Sequence, residues 1–330
     1  MPQHHFVPQT YLRGFATDDD EDRVFFHDVR VKDDEVNKRL IEDVCSQNNL
    51  YKLLMDDNEY KDDLEDTFAT VAEPKFREVR DKLLAKQNLS YEDKSEFSAY
   101  IALQIMRTPA NREIYSSMSK EMWDRESKKY WQKLLDDDAE RERVFEEVKK
   151  QTGTDPKKIP TKEDIQGIID GTKFKTEWTI PKENWIIDTM EIMQELFRAF
   201  EKMHWRIYFA PRGTAFITTD NPVSVLLQER SGWMVGHGYL APNAIRFFPL
   251  SKNACLAIHS DAPNGFSFET ATKRRVQQIN GVTVMSRFNI VIGHNKALVQ
   301  RQLRKIPDGF NLVNSITEHQ RTEIQNGLYD

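Results

Sequence analysis

The sequence predicts an α+β fold, and three observations lead to this class. The run Val24 to Val31 mixes aromatic and β-branched residues and predicts a small N-terminal β element. A long central region repeats apolar residues at helical spacing. From Trp205 the chain changes to short β-rich runs separated by Pro, Gly and Asn. We therefore expect an N-terminal β element, a large central helical region, and an antiparallel β-rich C-terminal part with flanking helices.

The central helices have recognisable ends. Ser90 to Asp93 has the form of a capping box ahead of an apolar face that we expect to be buried. This helix should end near Arg107, because Pro109 disfavours helical geometry at Thr108. The same Thr108 and Pro109 suit the start of the next helix, which runs to about Lys150. Another helical pattern begins at about Asp62, and Pro74 either kinks this helix or starts the next one. Further helices are predicted over Glu183–Met203, Ala271–Arg287 and Lys296–Lys305.

The predicted strands of the C-terminal part are WRIYFA, AFITT, VSVLL, AIRFFPL, ACLAIH and FNIVIG. We find no internal repeat, and we treat residues 1–330 as a single domain. Residues 151–176 are rich in Gly, Pro, Lys and Thr without strong periodicity, so they are the candidate for a flexible or inserted segment.

Composition favours a protein of the cytoplasm. The 330 residues are 39% hydrophobic, which is enough for a sizeable core. No apolar run approaches the roughly 18 to 20 residues that span a bilayer, and the N-terminus lacks the pattern of a signal peptide, so we expect no membrane partner. Cys45 and Cys255 are far apart and have no CxxC partner, which excludes a thiolate zinc site and fits a reducing compartment.

Charge is distributed unevenly along the chain. The first 70 residues carry 18 acidic and 8 basic side chains, whereas Ala271–Lys305 carries 8 basic and no acidic ones. The basic segment permits a partner that carries phosphate, including nucleic acid. Alternatively, the two segments face each other or cover different solvated surfaces. The sequence leaves the oligomeric state open.

Five local patterns follow one another along the chain. They are His4-His5-Phe6-Val7-Pro8 with Tyr11-Leu12-Arg13-Gly14-Phe15, Ala102-Leu103-Gln104-Ile105-Met106-Arg107-Thr108-Pro109, Phe216-Ile217-Thr218-Thr219-Asp220-Asn221-Pro222-Val223, Phe248-Pro249-Leu250-Ser251, and Ile279-Asn280. In these patterns the chain resembles the uncharacterised bacterial family called domain of unknown function 4238. The resemblance spans nearly the whole chain and implies no activity. The family more often has serine where this chain has Thr219, which keeps a hydroxyl group.

The adjacent histidines His4 and His5 are candidate catalytic residues, because imidazole binds metals and titrates near neutral pH. Val7 precedes Pro8 and should be extended; if this conformation reaches the histidines, their rings point to opposite sides. One ring would then face a site and the other would support it. In the alternative interpretation His5 donates to a backbone carbonyl, and the N-terminal arm simply packs.

A divalent metal at this site would need more ligands. His27 on the predicted β element offers a nitrogen, and Glu65 or Glu73 an oxygen, which with His5 and Asp220 gives a mixed ligand shell. The HHxxP string also resembles the start of HNH-type nucleases, in which a histidine activates water beside one metal.

Asp220 and Asn221 follow a predicted strand, where side chains are held rigidly yet remain accessible. Asp220 is therefore a candidate to bind a metal or orient an attacking water. The alternative is an Asx turn, in which Asp220 or Asn221 bonds nearby backbone and Pro222 fixes the chain direction.

Four further residues are candidate substrate contacts: Tyr11, Arg107, Thr219 and Asn280. Arg107 either offsets the negative C-terminal end of its helix or grips phosphate or carboxylate. We expect Asn280 to bond the backbone of the TTDNPV turn, since asparagine is a poor helix former.

Two functions remain open at this point. The first is a metal-assisted phosphodiester hydrolase, such as a nuclease, with His4 or His5 and Asp220 at its centre. The second is a non-catalytic scaffold that binds a ligand or a protein. The absence of a Gly-rich phosphate loop, GxSxG, HExxH and kinase signatures argues against nucleotide-dependent enzymes.

Overall fold

The computed structural model describes residues 3–31, 35–48, 53–54, 60–61, 73–153, 160–173, 177–179, 182–229, 232–235, 238–260, 262–316 and 318. Contacts divide the chain into two compact units, Met1–Ile114 with Trp185–Asp330, and Tyr115–Asn184. The α+β class is confirmed, with an N-terminal β element, central helices and a C-terminal sheet that is mostly antiparallel. None of the helices within the described ranges is long and apolar enough to cross a membrane. The helical pattern predicted from Asp62 lies largely outside these ranges.

The first unit begins with short elements that hold the N-terminal arm. Strand β1 (Gln3–His5) pairs antiparallel with β4 (Ser46–Asn48), and the short helix α1 (Gln9–Leu12) continues into a 3-10 turn at Arg13–Phe15. The predicted N-terminal strand is β2 (Arg23–Asp28), which pairs with β3 (Asn37–Leu40). A small hairpin joins β5 (Leu53–Leu54) to β6 (Tyr60–Lys61).

The remaining strands are β7 (His204–Phe209), β8 (Thr218–Thr219), β9 (Ser224–Glu229), β10 (Gly232–Val235), β11 (Ala244–Ser251), β12 (Ala254–His259), β13 (Gly265–Thr270) and β14 (Ile290–Gly293). Six of them form one sheet in the order β10-β9-β11-β12-β7-β13, in which only β13 runs parallel to its neighbour. A second sheet has the order β3-β2-β14-β8 and is antiparallel throughout. The second sheet therefore joins the N-terminal β element to the TTDNPV segment.

Helices α2 (Glu73–Leu84) and α3 (Tyr91–Met106) bury aromatic side chains against the larger sheet. Phe76 and Tyr100 stack with ring centroids 4.6 Å apart, and Phe97 packs against Trp205 at 5.8 Å. Aromatic rings bury large areas and prefer such offset or tilted contacts, so this cluster is a main stabilising element of the unit. The predicted capping box is present at Ser90 and Asp93.

Helices α8 (Lys273–Met285) and α9 (Lys296–Leu303) cover other sheet faces. Val276 and Ile279 of α8 pack with Phe247 and other residues of the six-stranded sheet. Val284, at the end of α8, packs with Val291 of the second sheet in a separate cluster that also holds residues of α9. Helix α7 (Lys182–Phe200) leads into β7.

The second unit consists of helices. Helix α4 (Pro109–Asp136) begins at the predicted Pro109 and enters this unit at Tyr115. It is followed by α5 (Asp138–Thr152), whose N-cap is Asp137 and whose end is the left-handed Gly153. Helix α6 (Lys162–Ile169) lies inside the segment 151–176 and starts with a capping box at Thr161.

Candidate functional site

The two histidines of the N-terminal arm lie on opposite sides of a strand. His4 and His5 both belong to β1, where successive side chains alternate, and His4 is 2% exposed while His5 is partly exposed. The Nε2 atom of His5 lies 3.0 Å from the carbonyl oxygen of Glu42. This geometry matches the interpretation in which His5 donates to a backbone carbonyl.

Arg107 clamps this arm onto helix α3. Its Nε donates to the carbonyl oxygen of Phe6 at 2.8 Å, and its Nη2 donates to that of His5 at 3.0 Å. Gln104, one turn earlier, donates to the Phe6 carbonyl at 2.9 Å. The guanidinium is almost fully buried, and its donors bind backbone carbonyls. This role differs from both sequence interpretations, which were an offset of the helix C-terminal charge and binding of phosphate or carboxylate.

Tyr11 joins the first pattern to the third and fourth. Its hydroxyl lies 2.7 Å from Oγ1 of Thr218, and both side chains are fully buried. Its ring stacks on Phe248 with centroids 5.2 Å apart and planes 7° apart. Burial raises the pKa of Tyr11, so this hydroxyl stays protonated as a hydrogen-bonding group. The first and third patterns therefore meet, and the contact is made by Tyr11 and Thr218.

Asp220 is held by the backbone of a distant segment. Its Oδ1 accepts from the N–H of Phe288 at 2.9 Å and its Oδ2 accepts from the N–H of Asn289 at 2.7 Å. The side chain is 1% exposed. Burial raises the pKa of Asp220 to about 6, although these backbone N–H groups act in the opposite direction. Both carboxylate oxygens thus have partners, and neither faces solvent.

Thr219 and Asn221 complete the turn. The Thr219 hydroxyl donates to the Asn221 carbonyl at 2.8 Å and accepts from the Asn221 N–H at 3.2 Å, so threonine makes the local turn. The Asn221 side chain donates to the carbonyl oxygen of Ser286 at 2.9 Å. Beside it lies a cavity of about 10 Å³, lined in part by Tyr239, which has room for about one water molecule.

Asn280 supports the same segment from helix α8. Its Oδ1 accepts from the N–H of Ile217 at 3.2 Å, and its Nδ2 donates to the carbonyl oxygen of Ala215 at 2.9 Å. Asn280 therefore bonds the backbone immediately before the TTDNPV turn, and not the turn itself. Its amide group is used on both sides and is 2% exposed.

The proposed metal ligands do not converge in the described structure. His27 is paired with Val291, and Val291 is paired with Thr219, so these three side chains lie on one face of the second sheet. Thr218 precedes Thr219 on β8 and therefore lies on the opposite face from His27. Glu73 accepts from the Thr10 hydroxyl at 3.1 Å. Glu65 lies outside the described residues. Within those residues, no three His, Cys, Asp or Glu side chains are grouped so that they could hold a metal ion.

Three charged residues near Asp220 were not predicted from the sequence: Asp28, Arg30 and Arg287. The pKa of Arg30 is raised, mainly by its hydrogen bond to Asp28 and to a smaller extent by the negative charge of Asp220. Burial lowers the pKa of Arg287, and the charge of Asp220 acts in the opposite direction. The charge of Asp28 adds to the effect of burial in raising the pKa of Asp220. Asp28 lies within the predicted strand Val24 to Val31 and is the last residue of the observed strand β2. Its approach to Asp220 depends on β14 lying between β2 and β8, which the sequence does not indicate.

The first pattern contacts the second, third and fourth patterns, and the third contacts the fifth, so the five patterns are linked in one buried structural junction. The chain matches the family described as Protein of unknown function (DUF4238) over residues 3–297. The protein therefore belongs to this family. No curated protein and no solved structure matches the chain.

Proposed function

We propose that this protein is a non-catalytic binding scaffold. The observation that carries the proposal is the bonding of Asp220, whose two carboxylate oxygens accept backbone N–H groups 68 and 69 residues away while the side chain is 1% exposed. A catalytic carboxylate has to reach a substrate, a metal or a water molecule. The hydrogen bonds of Asp220 instead hold the TTDNPV turn against the backbone at Phe288 and Asn289.

The other candidate residues support the same proposal. Arg107 and Asn280 bond backbone groups of the first and third patterns, and Tyr11 bonds Thr218. The polar atoms of these side chains form hydrogen bonds inside the junction, and these bonds make the junction rigid. Binding would then take place on an outer surface that this junction holds in position.

The nature of the partner and the location are parts of this proposal. We propose a partner that carries phosphate, such as nucleic acid, because the segment Ala271–Lys305 has 8 basic and no acidic residues. We propose the cytoplasm as its location, because Cys45 and Cys255 are both buried free thiols.

A metal-assisted phosphodiester hydrolase stays the second candidate function. One observation favours it: the pKa of Asp220 is raised to about 6, which suits proton transfer near neutral pH. Two observations argue against this function. The carboxylate of Asp220 is buried, and His27 lies on the opposite face of the sheet from Thr218.

Elemental analysis and a phosphodiesterase screen separate the two functions. Purified wild type, His5→Ala and Asp220→Asn would be compared with Mg²⁺, Mn²⁺ and Zn²⁺ on a bis(p-nitrophenyl) phosphate substrate and on labelled DNA and RNA. The scaffold predicts no stoichiometric metal, no turnover above background, and a His5→Ala variant with nearly wild-type stability. Turnover by wild type that is lost in folded His5→Ala or Asp220→Asn would overturn the proposal.

A further inference from the structure

The basic segment of the chain forms a defined surface on helices α8 and α9. Lys273 and Arg274 are exposed in the first turn of α8, and Arg301, Arg304 and Lys305 are exposed at the end of α9. We call these five residues the α8–α9 basic face.

The two helices bring these cations together. Nζ of Lys305 donates to the carbonyl oxygen of Gln277 at 3.5 Å, which places the end of α9 beside the middle of α8. Lys273 and Arg274 lie about one helical turn before Gln277, an axial rise of roughly 5 to 6 Å. Burial lowers the pKa of Lys305, and the positive charge of Arg301 lowers it further, so two cations of the face interact at close range.

Carboxylates do not neutralise this face within the described residues. The acidic run near the N-terminus is paired elsewhere: Asp18 contacts Lys252 at 2.7 Å, Asp19 contacts Lys38 at 2.7 Å, and Asp22 contacts Arg13 at 3.3 Å. No ion pair in the described ranges involves a residue of the face. Because the whole chain carries −6 and Ala271–Lys305 carries +8, the remaining chain carries −14, and the positive charge is concentrated here.

This distribution works against the stability of the free protein. The first turn of α8 contains Lys273, Arg274 and Arg275 but no acidic residue, although the N-terminal end of a helix favours negative charge. Helices α3, α5 and α6 each have two acidic residues in the first turn. Like charges that repel each other in the free protein are relieved when an anion binds, so this face has the properties of a polyanion site.

We propose that the α8–α9 basic face binds the phosphate backbone of a nucleic acid. Three of its five cations are arginines, which suit the geometry of phosphate oxygens. Within the described residues the face has no exposed large hydrophobic side chain of the kind that an amphipathic membrane-surface helix inserts into lipid. The face consists of cations that suit phosphate, and phosphate contacts carry no sequence information, so we expect binding to be independent of sequence.

The inference deepens the proposed binding function by naming its partner, and it rests on that function only in expecting the bound strand to stay intact. The experiment uses fluorescence anisotropy with a labelled 20-nucleotide single strand between 50 and 200 mM KCl. With five phosphate contacts, log K should fall with log[salt] with a slope of about −3.5, which is an affinity loss of about 100-fold over this range.

The main variant replaces Lys273, Arg274, Arg301 and Arg304 by Ala. Each contact removed should cost about 5-fold at 0.1 M salt, so affinity should fall by several hundred-fold and the slope should shrink to about −1. The matched control replaces Lys128, Lys129, Lys149 and Lys150 by Ala, which lowers the net charge equally on helices α4 and α5. The control should retain affinity within about 3-fold of wild type. Arg301→Lys with Arg304→Lys keeps the charge and should retain most of the binding.

Absence of binding by wild type would overturn the inference, as would equal losses in the two alanine variants. Binding to vesicles containing phosphatidylserine, without binding to the strand, would assign the face to membranes and also overturn it. A denaturing gel of the recovered strand separates the two proposals. A cleaved strand would contradict the non-catalytic function and leave the basic face in place. An intact but unbound strand would contradict the basic face and the nucleic-acid partner, and would leave the non-catalytic function in place.

Discussion

The hydrogen bond between Tyr11 and Thr218 gives a direct test of the contact between the first and third patterns. We expect Tyr11→Phe to leave the Thr218 hydroxyl, and Thr218→Val to leave the Tyr11 hydroxyl, without a partner in a site with 0% exposure. Each single substitution should cost about 2 kcal/mol, since a buried polar group that loses its partner costs roughly 1 to 3 kcal/mol. The double variant removes both groups and should cost little more than either single one.

The measurement is a double-mutant cycle in urea unfolding, followed by near-UV circular dichroism. For 330 residues, an unfolding entropy of about 2.1 cal/mol/K per residue converts 2 kcal/mol into a Tm decrease of about 3 °C. Tyr100→Phe is the control, because the buried Tyr100 hydroxyl has no hydrogen-bond partner among the described residues, and its removal should not destabilise the protein. Additive single costs, with a coupling energy below about 0.3 kcal/mol, would refute the contact.

Three other substitutions test the same junction. The folded pKa of Asp220 is about 6 against 3.8 in the unfolded chain, so its stabilising contribution is complete below pH 3.8 and is lost as the pH rises through 6. Wild type should lose about 2 to 2.5 kcal/mol relative to Asp220→Asn between pH 4 and 7, and an equal pH dependence of the two proteins in urea unfolding would contradict this. Gly14→Ala places a Cβ 2.9 Å from the carbonyl oxygen of Leu250 and should cost about 1 to 3 kcal/mol in thermal unfolding, whereas an unchanged Tm would show that this close approach is absent. Lysine in Arg107→Lys cannot reproduce the two donors that reach adjacent carbonyls, so the free energy of unfolding in urea should fall by about 1 to 3 kcal/mol. An unchanged free energy of unfolding would show that Arg107 does not hold the N-terminal arm.

Local features of the fold were predictable from the sequence because they depend on neighbouring residues. The capping box at Ser90 and the helix start at Pro109 each involve contacts within about four residues. The strands around Trp205 and Ala254 were also predicted, since their composition is typical of strands. The parallel strand β13 was missed, because its six residues alternate weakly and it pairs with β7 across about 60 residues of chain.

The candidate site was predictable only in part. The first pattern meets the third through Tyr11 and Thr218, and Asn280 bonds the backbone of Ile217 in the third pattern. The partners of Asp220 were not predictable, because they are backbone N–H groups and carry no sequence signal. An aspartate that follows a strand can be a catalytic group or an acceptor for backbone N–H groups far away in the sequence. The sequence pattern is the same in both cases, and only the folded structure distinguishes them.

Native-state hydrogen exchange at the backbone amides of Phe288 and Asn289 tests the structural role of Asp220 most directly. In the proposed scaffold both amides donate to the Asp220 carboxylate, so they should be strongly protected, and addition of 10 mM Mg²⁺ or Mn²⁺ should leave their exchange rates unchanged. In folded Asp220→Asn, protection should decrease at one of the two amides. Rapid exchange in wild type, or exchange that accelerates when the metal is added, would show a carboxylate released for catalysis and would contradict the account.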